Sequence, residues 1–161
     1  MEHLWSPWRF RYVSSAPPGE NCLFCSKAAE LPGSGNLIVH RAVHNFVILN
    51  LYPYNTGHLM VAPYEHVGTL SAAPAGTLSE MMSLTQAAER LLNGIYSPAG
   101  LNIGMNVGAC AGAAVAGHLH MHVVPRWKGD ANFMTVIGET RVSPEELGVT
   151  YLKIRTAFES L

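Results

Sequence analysis

Apolar residues fall along this chain first in short runs and later in helical stripes. Leu37 to His40, Asn45 to Leu49 and His58 to Ala62 are brief stretches rich in apolar and β-branched residues, and they predict three strands. The turn-forming segment Tyr52-Pro53-Tyr54-Asn55-Thr56-Gly57 lies between the last two, so antiparallel pairing is expected. Met81, Leu84, Ala88, Leu91 and Leu92 then recur at helical spacing behind Thr77-Leu78-Ser79-Glu80, which has the form of a capping box. This predicts a helix ending near Asn93-Gly94. Leu101 to Val107 and His118 to Pro125 predict two more strands joined by a glycine-rich loop. Ser143-Pro144-Glu145-Glu146 starts a second helix, with proline at its first position, running to about Phe158. Residues 1–35, with Ala16-Pro17-Pro18-Gly19 and Leu31-Pro32-Gly33-Ser34-Gly35 as punctuation, read as irregular. The expected architecture is α+β: a five-stranded antiparallel sheet packed against two helices. There is no repeat or linker, so the N-terminal segment 1–35 and the body 36–161 form one domain.

The last strand carries the chemistry. His118-Leu119-His120-Met121-His122 alternates strictly, and a strand's period of two puts the three imidazoles on one face and Leu119, Met121 and Val123 on the other. Upstream, Gly108-Ala109-Cys110-Ala111-Gly112-Ala113-Ala114 has side chains small enough for backbone N–H groups to approach an anion. Histidine titrates near neutrality, so one imidazole can attack phosphorus while a neighbour hydrogen-bonds a phosphoryl oxygen. On this reading His120 is the nucleophile and His122 the donor, with Asn106 and the N–H groups of Gly112, Ala113 and Ala114 stabilising developing charge. Three alternating histidines equally suit zinc, and the glycine-rich loop moves the balance toward phosphate.

Composition narrows the partners. A net charge of −1 and 13% charged residues offer no basic stripe for nucleic acid, and 48% hydrophobic residues are ample for one core in 161 residues. With no apolar run near the length of a membrane span and no signal-peptide pattern at Met1 to Arg9, a soluble cytoplasmic protein with no membrane partner is expected. The three cysteines make no disulfide framework. Cys22-Leu23-Phe24-Cys25 is half of a tetrahedral zinc site, and His66 and His118 are the candidates to complete it. His58 alone reads as a structural residue as readily as a functional one. Trp127, just past the histidine strand, is a candidate wall for the ligand pocket, with edge packing as the alternative.

Gly57-His58-Leu59-Met60-Val61-Ala62-Pro63 and the Gly112 to Pro125 segment together resemble the histidine-triad superfamily of nucleotidyl hydrolases and transferases. Asn50 to His58, Val124 to Trp127 and Gly129 to Phe133 are similar to its bacterial branch containing diadenosine tetraphosphate phosphorylases. The resemblance spans roughly residues 20 to 140. It implies a nucleotidyl-His120 intermediate, His122 on the α-phosphate, His58 completing the histidine cluster, and Asn50 on the ribose hydroxyls. Asn106 and Gly112 to Ala114 match the family's phosphate loop, and Cys22, Cys25, His66 and His118 its structural zinc site. No catalytic metal is implied, and the family's homodimer extends the sheet. Ala113 and Ala114 stand where several relatives have Gln or Ser, leaving backbone donors to serve.

The function expected is transfer of a nucleotidyl group from a purine nucleotide or dinucleoside polyphosphate, with phosphate as acceptor. The alternatives are a hydrolase of nucleoside phosphoramidates or adenylylated metabolites, a non-catalytic nucleotide-binding regulator, and a metalloenzyme with the three histidines around one zinc.

Overall fold

The computed structural model describes residues 22–31, 33–130 and 145–161. Five strands, β1 (Ile38–Arg41), β2 (Asn45–Leu49), β3 (Leu59–Pro63), β4 (Gly100–Gly104) and β5 (Met121–Arg126), form one sheet in the order β1-β2-β3-β5-β4. All neighbours pair antiparallel. The helices are α1 (Leu23–Ala29), α2 (Ala75–Tyr96) and α3 (Leu147–Glu159). No helix among the described residues is long and apolar enough to cross a membrane.

One face of the sheet is covered by α2 and α3. Val47, Leu49, Leu59, Val61, Met121 and Val123 meet Met81, Ala88 and Leu92 of α2 and Tyr151, Ile154 and Phe158 of α3. This is the apolar side predicted for the histidine strand. The other face carries a smaller cluster of Phe24, Ile38, Phe46, Ile48, Met60 and Ala62. Because both faces are covered there, β2 and β3 are buried at every position, which explains why they read as continuous apolar runs rather than alternating ones.

Several local expectations need correcting. Residues 23–29 are helical rather than irregular, so the described residues hold three α-helices where two were expected. Arg41 secures the end of α1 by donating from its guanidinium to the carbonyls of Ala28 and Glu30, at 2.9 Å each. α2 starts at Ala75 after Pro74, and Thr77 lies buried inside it instead of capping it. Glu80 accepts hydrogen bonds from the backbone N–H groups of Val43 and His44 and from Asn45 Nδ2, so it holds the β1–β2 turn and not its own helix. The helix runs through Gly94 to Tyr96 and closes at Ser97, in the left-handed conformation.

At α3 the structured cap is Glu146, and Ser143 and Pro144 lie outside the described residues. Glu145 instead accepts from Tyr96 Oη at 2.6 Å, Thr150 Oγ1 at 2.7 Å and Lys153, tying α3 to the end of α2. β4 is shorter than expected, and the β5 ladder begins at Met121 rather than His118. In the β3–β5 register Met60 faces His122, so Pro63 would face Leu119. Pro63 has no N–H to donate, and Leu119 N–H bonds the Val67 carbonyl instead, at 2.6 Å. His118 therefore sits in a bend just ahead of the ladder, and Leu119 is held by Val67, next to His66, in the segment that follows β3.

Candidate active site and metal cluster

The Tyr52–Gly57 turn delivers His58. Gly57 has φ +79°, and a Cβ there would approach Leu92 to 3.0 Å and Pro125 to 3.3 Å, so both the conformation and the space call for glycine. His58 is fully buried, with its ring 5.1 Å from that of His122, and the His122 ring lies 4.9 Å from that of His120. The structure thus brings His58 together with the histidine strand, a placement that His58 read alone did not specify.

Hydrogen-bond partners set the tautomer of each ring. Tyr54 N–H donates to His58 Nδ1 at 3.1 Å, so the His58 proton sits on Nε2. His58 Nε2–H then donates to His122 Nδ1 at 2.9 Å, which puts the proton of neutral His122 on Nε2. His120 Nδ1–H donates to the His118 carbonyl at 2.7 Å, leaving a lone pair on His120 Nε2. The two rings therefore present opposite tautomers, a lone pair on Nε2 of one and a proton on Nε2 of its neighbour. Burial holds the His120 imidazole below its ordinary range, partly opposed by the His118 carbonyl. Burial and then the neighbouring His120 bring His122 down to about 4.

The depressed His122 makes stability pH-dependent. The unfolded chain takes up this proton near pH 6.5 and the folded chain only near 4, so stability is full above the first value and falls as pH drops toward the second. Allowing for partial screening of a half-buried ring, the expected loss is about 2 kcal/mol. Thermal unfolding at pH 7.5 and 4.5 checks this through the difference between wild type and His122→Phe. An equal acid-induced drop in Tm for both would contradict it.

On the far side of His118 lies a second constellation. Ligand atoms of Cys22, Cys25, His66 and His118 all lie within 4.8 Å of one another. His118 Nδ1 is 3.3 Å from Cys22 Sγ and 3.6 Å from Cys25 Sγ, and His66 Nδ1 is 3.4 Å from Cys25 Sγ. Zinc bonds of about 2.3 Å to sulfur and about 2.0 Å to nitrogen at tetrahedral angles place S and N roughly 3.5 Å apart, so the four groups fit such an ion. His118 Nε2–H donates to the Pro63 carbonyl at 2.8 Å, the second-sphere contact that aims Nδ1 at the cysteines. Burial, with Cys22 alongside, pushes the Cys25 thiol up, which disfavours its thiolate unless a cation sits beside it.

This geometry removes one alternative. His118 Nδ1 faces the cysteines, His120 Nδ1 faces a carbonyl and His122 Nδ1 faces His58, so the three rings do not converge on a shared ion.

Phe24, inside the Cys-x-x-Cys stretch, packs its ring 4.8 Å from His120 and 5.2 Å from His118. Its role was not legible because the segment read as irregular; an aromatic residue framed by two metal-ligand candidates was the available signal. Beside His122, away from His120, an open cleft of about 360 Å³ is bounded by Asn55, Asn102, Asn106, Arg126 and Asp130, among others. Asp130 accepts from Arg126 Nε at 2.6 Å and Nη2 at 2.8 Å, from Asn55 Nδ2 at 2.7 Å and from Trp127 N–H at 3.2 Å. These bonds, chiefly those from Arg126, hold its carboxyl well below the usual range. The Arg126–Asp130 spacing around a glycine turn was visible in the chain but pointed to no role.

Of the remaining expected residues, Asn106 reaches the cleft. Asn50 closes β2, accepting from Tyr52 N–H at 2.9 Å and placing Nδ2 3.8 Å from Met60 Sδ. Gly112, at φ +91°, donates its N–H to the Ala109 carbonyl at 3.0 Å. Ala113 is buried and Ala114 exposed. Trp127 is half-buried and does not line the cleft.

An antiparallel five-stranded sheet presenting paired imidazoles beside a Cys₂His₂ cluster is the arrangement of a histidine-triad protein. The HIT domain family model matches residues 35–129, and the chain belongs to this family. It is 42% identical over 154 residues, 91% of this chain and 79% of the relative, to a Mycobacterium tuberculosis protein named AP-4-A phosphorylase. A Schizosaccharomyces pombe protein named bis(5'-nucleosyl)-tetraphosphatase [asymmetrical] is 28% identical over 96 residues, 60% of this chain and 52% of that one. Among solved structures, a Zn-bound histidine triad family protein from Mycobacterium smegmatis superposes with a TM-score of 0.69 at 27% identity, covering 87% of this chain and 94% of that one.

Proposed function

We propose that this chain is a nucleotidyl transferase that cleaves dinucleoside polyphosphates such as diadenosine tetraphosphate through a nucleotidyl-His120 intermediate, with inorganic phosphate as acceptor. The observation that carries the reading is the pair of opposite tautomers, a lone pair on His120 Nε2 beside a proton on His122 Nε2. His120 Nε2 attacks the α-phosphorus, a P–N bond forms, and the bridging P–O bond breaks with its electron pair leaving on the departing nucleoside polyphosphate. His122 Nε2–H donates to a phosphoryl oxygen, and His58 keeps that proton on Nε2 by occupying Nδ1. A phosphate oxygen then attacks the same phosphorus, breaks the P–N bond and returns the lone pair to His120. With diadenosine tetraphosphate the products are ATP and ADP.

Asn50 is assigned to the ribose hydroxyls and Trp127 to the outer wall of the nucleotide site. Asn106 and the N–H groups of Ala113 and Ala114 are assigned to the phosphates, Gly112 serving the turn that presents them. Cys22, Cys25, His66 and His118 suit a structural zinc ion, which when bound would cross-link α1 to the sheet. In the dimer of this reading, the outer edge of β4 pairs with its copy. The cytoplasm is its expected location.

The test is incubation with diadenosine tetraphosphate, with and without inorganic phosphate, followed by nucleotide chromatography. ATP plus ADP appearing only with phosphate is expected. ATP plus AMP in both arms would make water the acceptor, and no product in either arm would overturn the reading.

A further inference from the structure

We infer that the cleft between β4 and Arg126 is a second nucleoside subsite, which receives the base and ribose of the departing nucleotide and makes the protein selective for two-headed substrates. The inference rests on the nucleotidyl-transfer reading and goes beyond it, by saying what occupies the space past the scissile bond. Position is the first argument. The cleft is bounded by His122, while Phe24 covers the opposite side of the histidine pair at His120, so a chain of phosphates crossing His122 leads into it. Its volume of about 360 Å³ falls within the range of small-molecule sites.

Charge is the second argument, and it separates a nucleoside from an anion. Among the described residues the one guanidinium lining the cleft, that of Arg126, is already paired through two nitrogens with Asp130, and its third, Nη1, donates to Asn102 Oδ1 at 2.6 Å. The pair carries no net charge, so inorganic phosphate or a free polyphosphate tail finds no uncompensated guanidinium or ammonium among those residues. What the three bonds do provide is a guanidinium plane locked in orientation, and such planes stack on nucleobases. Ile103, Met105 and Val124 add apolar surface, and Asn102 adds an amide of the kind that hydrogen-bonds base edges. A partly apolar cleft with an amide at its rim and its described charges paired matches a purine nucleoside.

Two measurements test this. The first compares kcat/KM for diadenosine tetraphosphate with kcat/KM for adenosine 5′-phosphoramidate, whose leaving group has no nucleoside, in wild type, Arg126→Lys and Asn102→Ala. Lysine keeps a charge for Asp130 and loses the plane, so the ratio of the two values is expected to fall about tenfold. A ratio unmoved in both variants would overturn the inference. The second uses His120→Ala to block turnover and follows the side-chain amide resonances of Asn102. They are expected to shift with diadenosine tetraphosphate and not with AMP; identical responses to the two ligands would overturn the inference even if the Arg126 variant fails to fold. Wild type that turns over neither substrate would sink the parent reading and this one together. Turnover with an unchanged ratio would sink this one alone.

Discussion

Replacing His120 with Ala is expected to lower kcat for diadenosine tetraphosphate by about ten-thousand-fold or more while the protein still folds and binds nucleotide. The size follows from what the residue supplies. Its Nε2 lone pair is the attacking atom of the proposed first step, and no nearby ring can stand in, because His122 presents a proton on the corresponding nitrogen and His58 is bonded to His122. Binding should persist because the nucleotide's other contacts lie elsewhere on the sheet face. His122→Ala is expected to cost less, about a hundredfold, since it removes one hydrogen-bond donor and not the nucleophile. Trapping and mass spectrometry add a direct reading: wild type gains the mass of one AMP on the peptide containing His120, and the Ala variant gains none. Turnover by His120→Ala within tenfold of wild type would refute the covalent mechanism.

The second large effect concerns the metal cluster. Stripping the protein with a strong chelator, or replacing Cys25 with Ser, is expected to lower Tm by about 10 °C. A ligand present at about a thousand times its Kd contributes about 4 kcal/mol, and a domain of this size loses roughly 2–4 °C per kcal/mol. Loss of the cross-link frees α1, whose Phe24 is almost fully buried against Phe46, His118 and His120, so the histidine face loses its cover as well. Cys110→Ser, at an exposed loop position, serves as the control with unchanged Tm. Elemental analysis giving no zinc, together with a Tm indifferent to chelator, would refute the metal assignment.

Much of the architecture was legible because it follows from local pattern. β2 was bounded correctly from its apolar run, and α2 was found from its stripe, since burial on one side of a helix imposes the spacing directly on the chain; α3 was found from the start signal Ser143-Pro144-Glu145-Glu146. The ends were less legible. Thr77-Leu78-Ser79-Glu80 has the form of a cap, but Glu80 is used by a hairpin more than thirty residues upstream, a contact no local window contains. The helix Leu23–Ala29 was missed for a similar reason. It has only seven residues, too short to hold itself together, and it exists because Phe24 is buried against the sheet and Arg41 secures its end.

The histidine strand marks the boundary between the two kinds of information. By itself the sequence determined that three imidazoles would share one face, because alternation is a property of any extended backbone. How each ring is oriented was decided only by tertiary structure: by the Pro63 carbonyl turning His118 toward the cysteines, the His118 carbonyl fixing His120, and His58 arriving from a distant turn to fix His122. Each ring's chemistry depends on which nitrogen holds the proton. That choice is made by hydrogen-bond partners which, for two of the three rings, lie more than fifty residues away along the chain, and only the fold brings them within 3 Å.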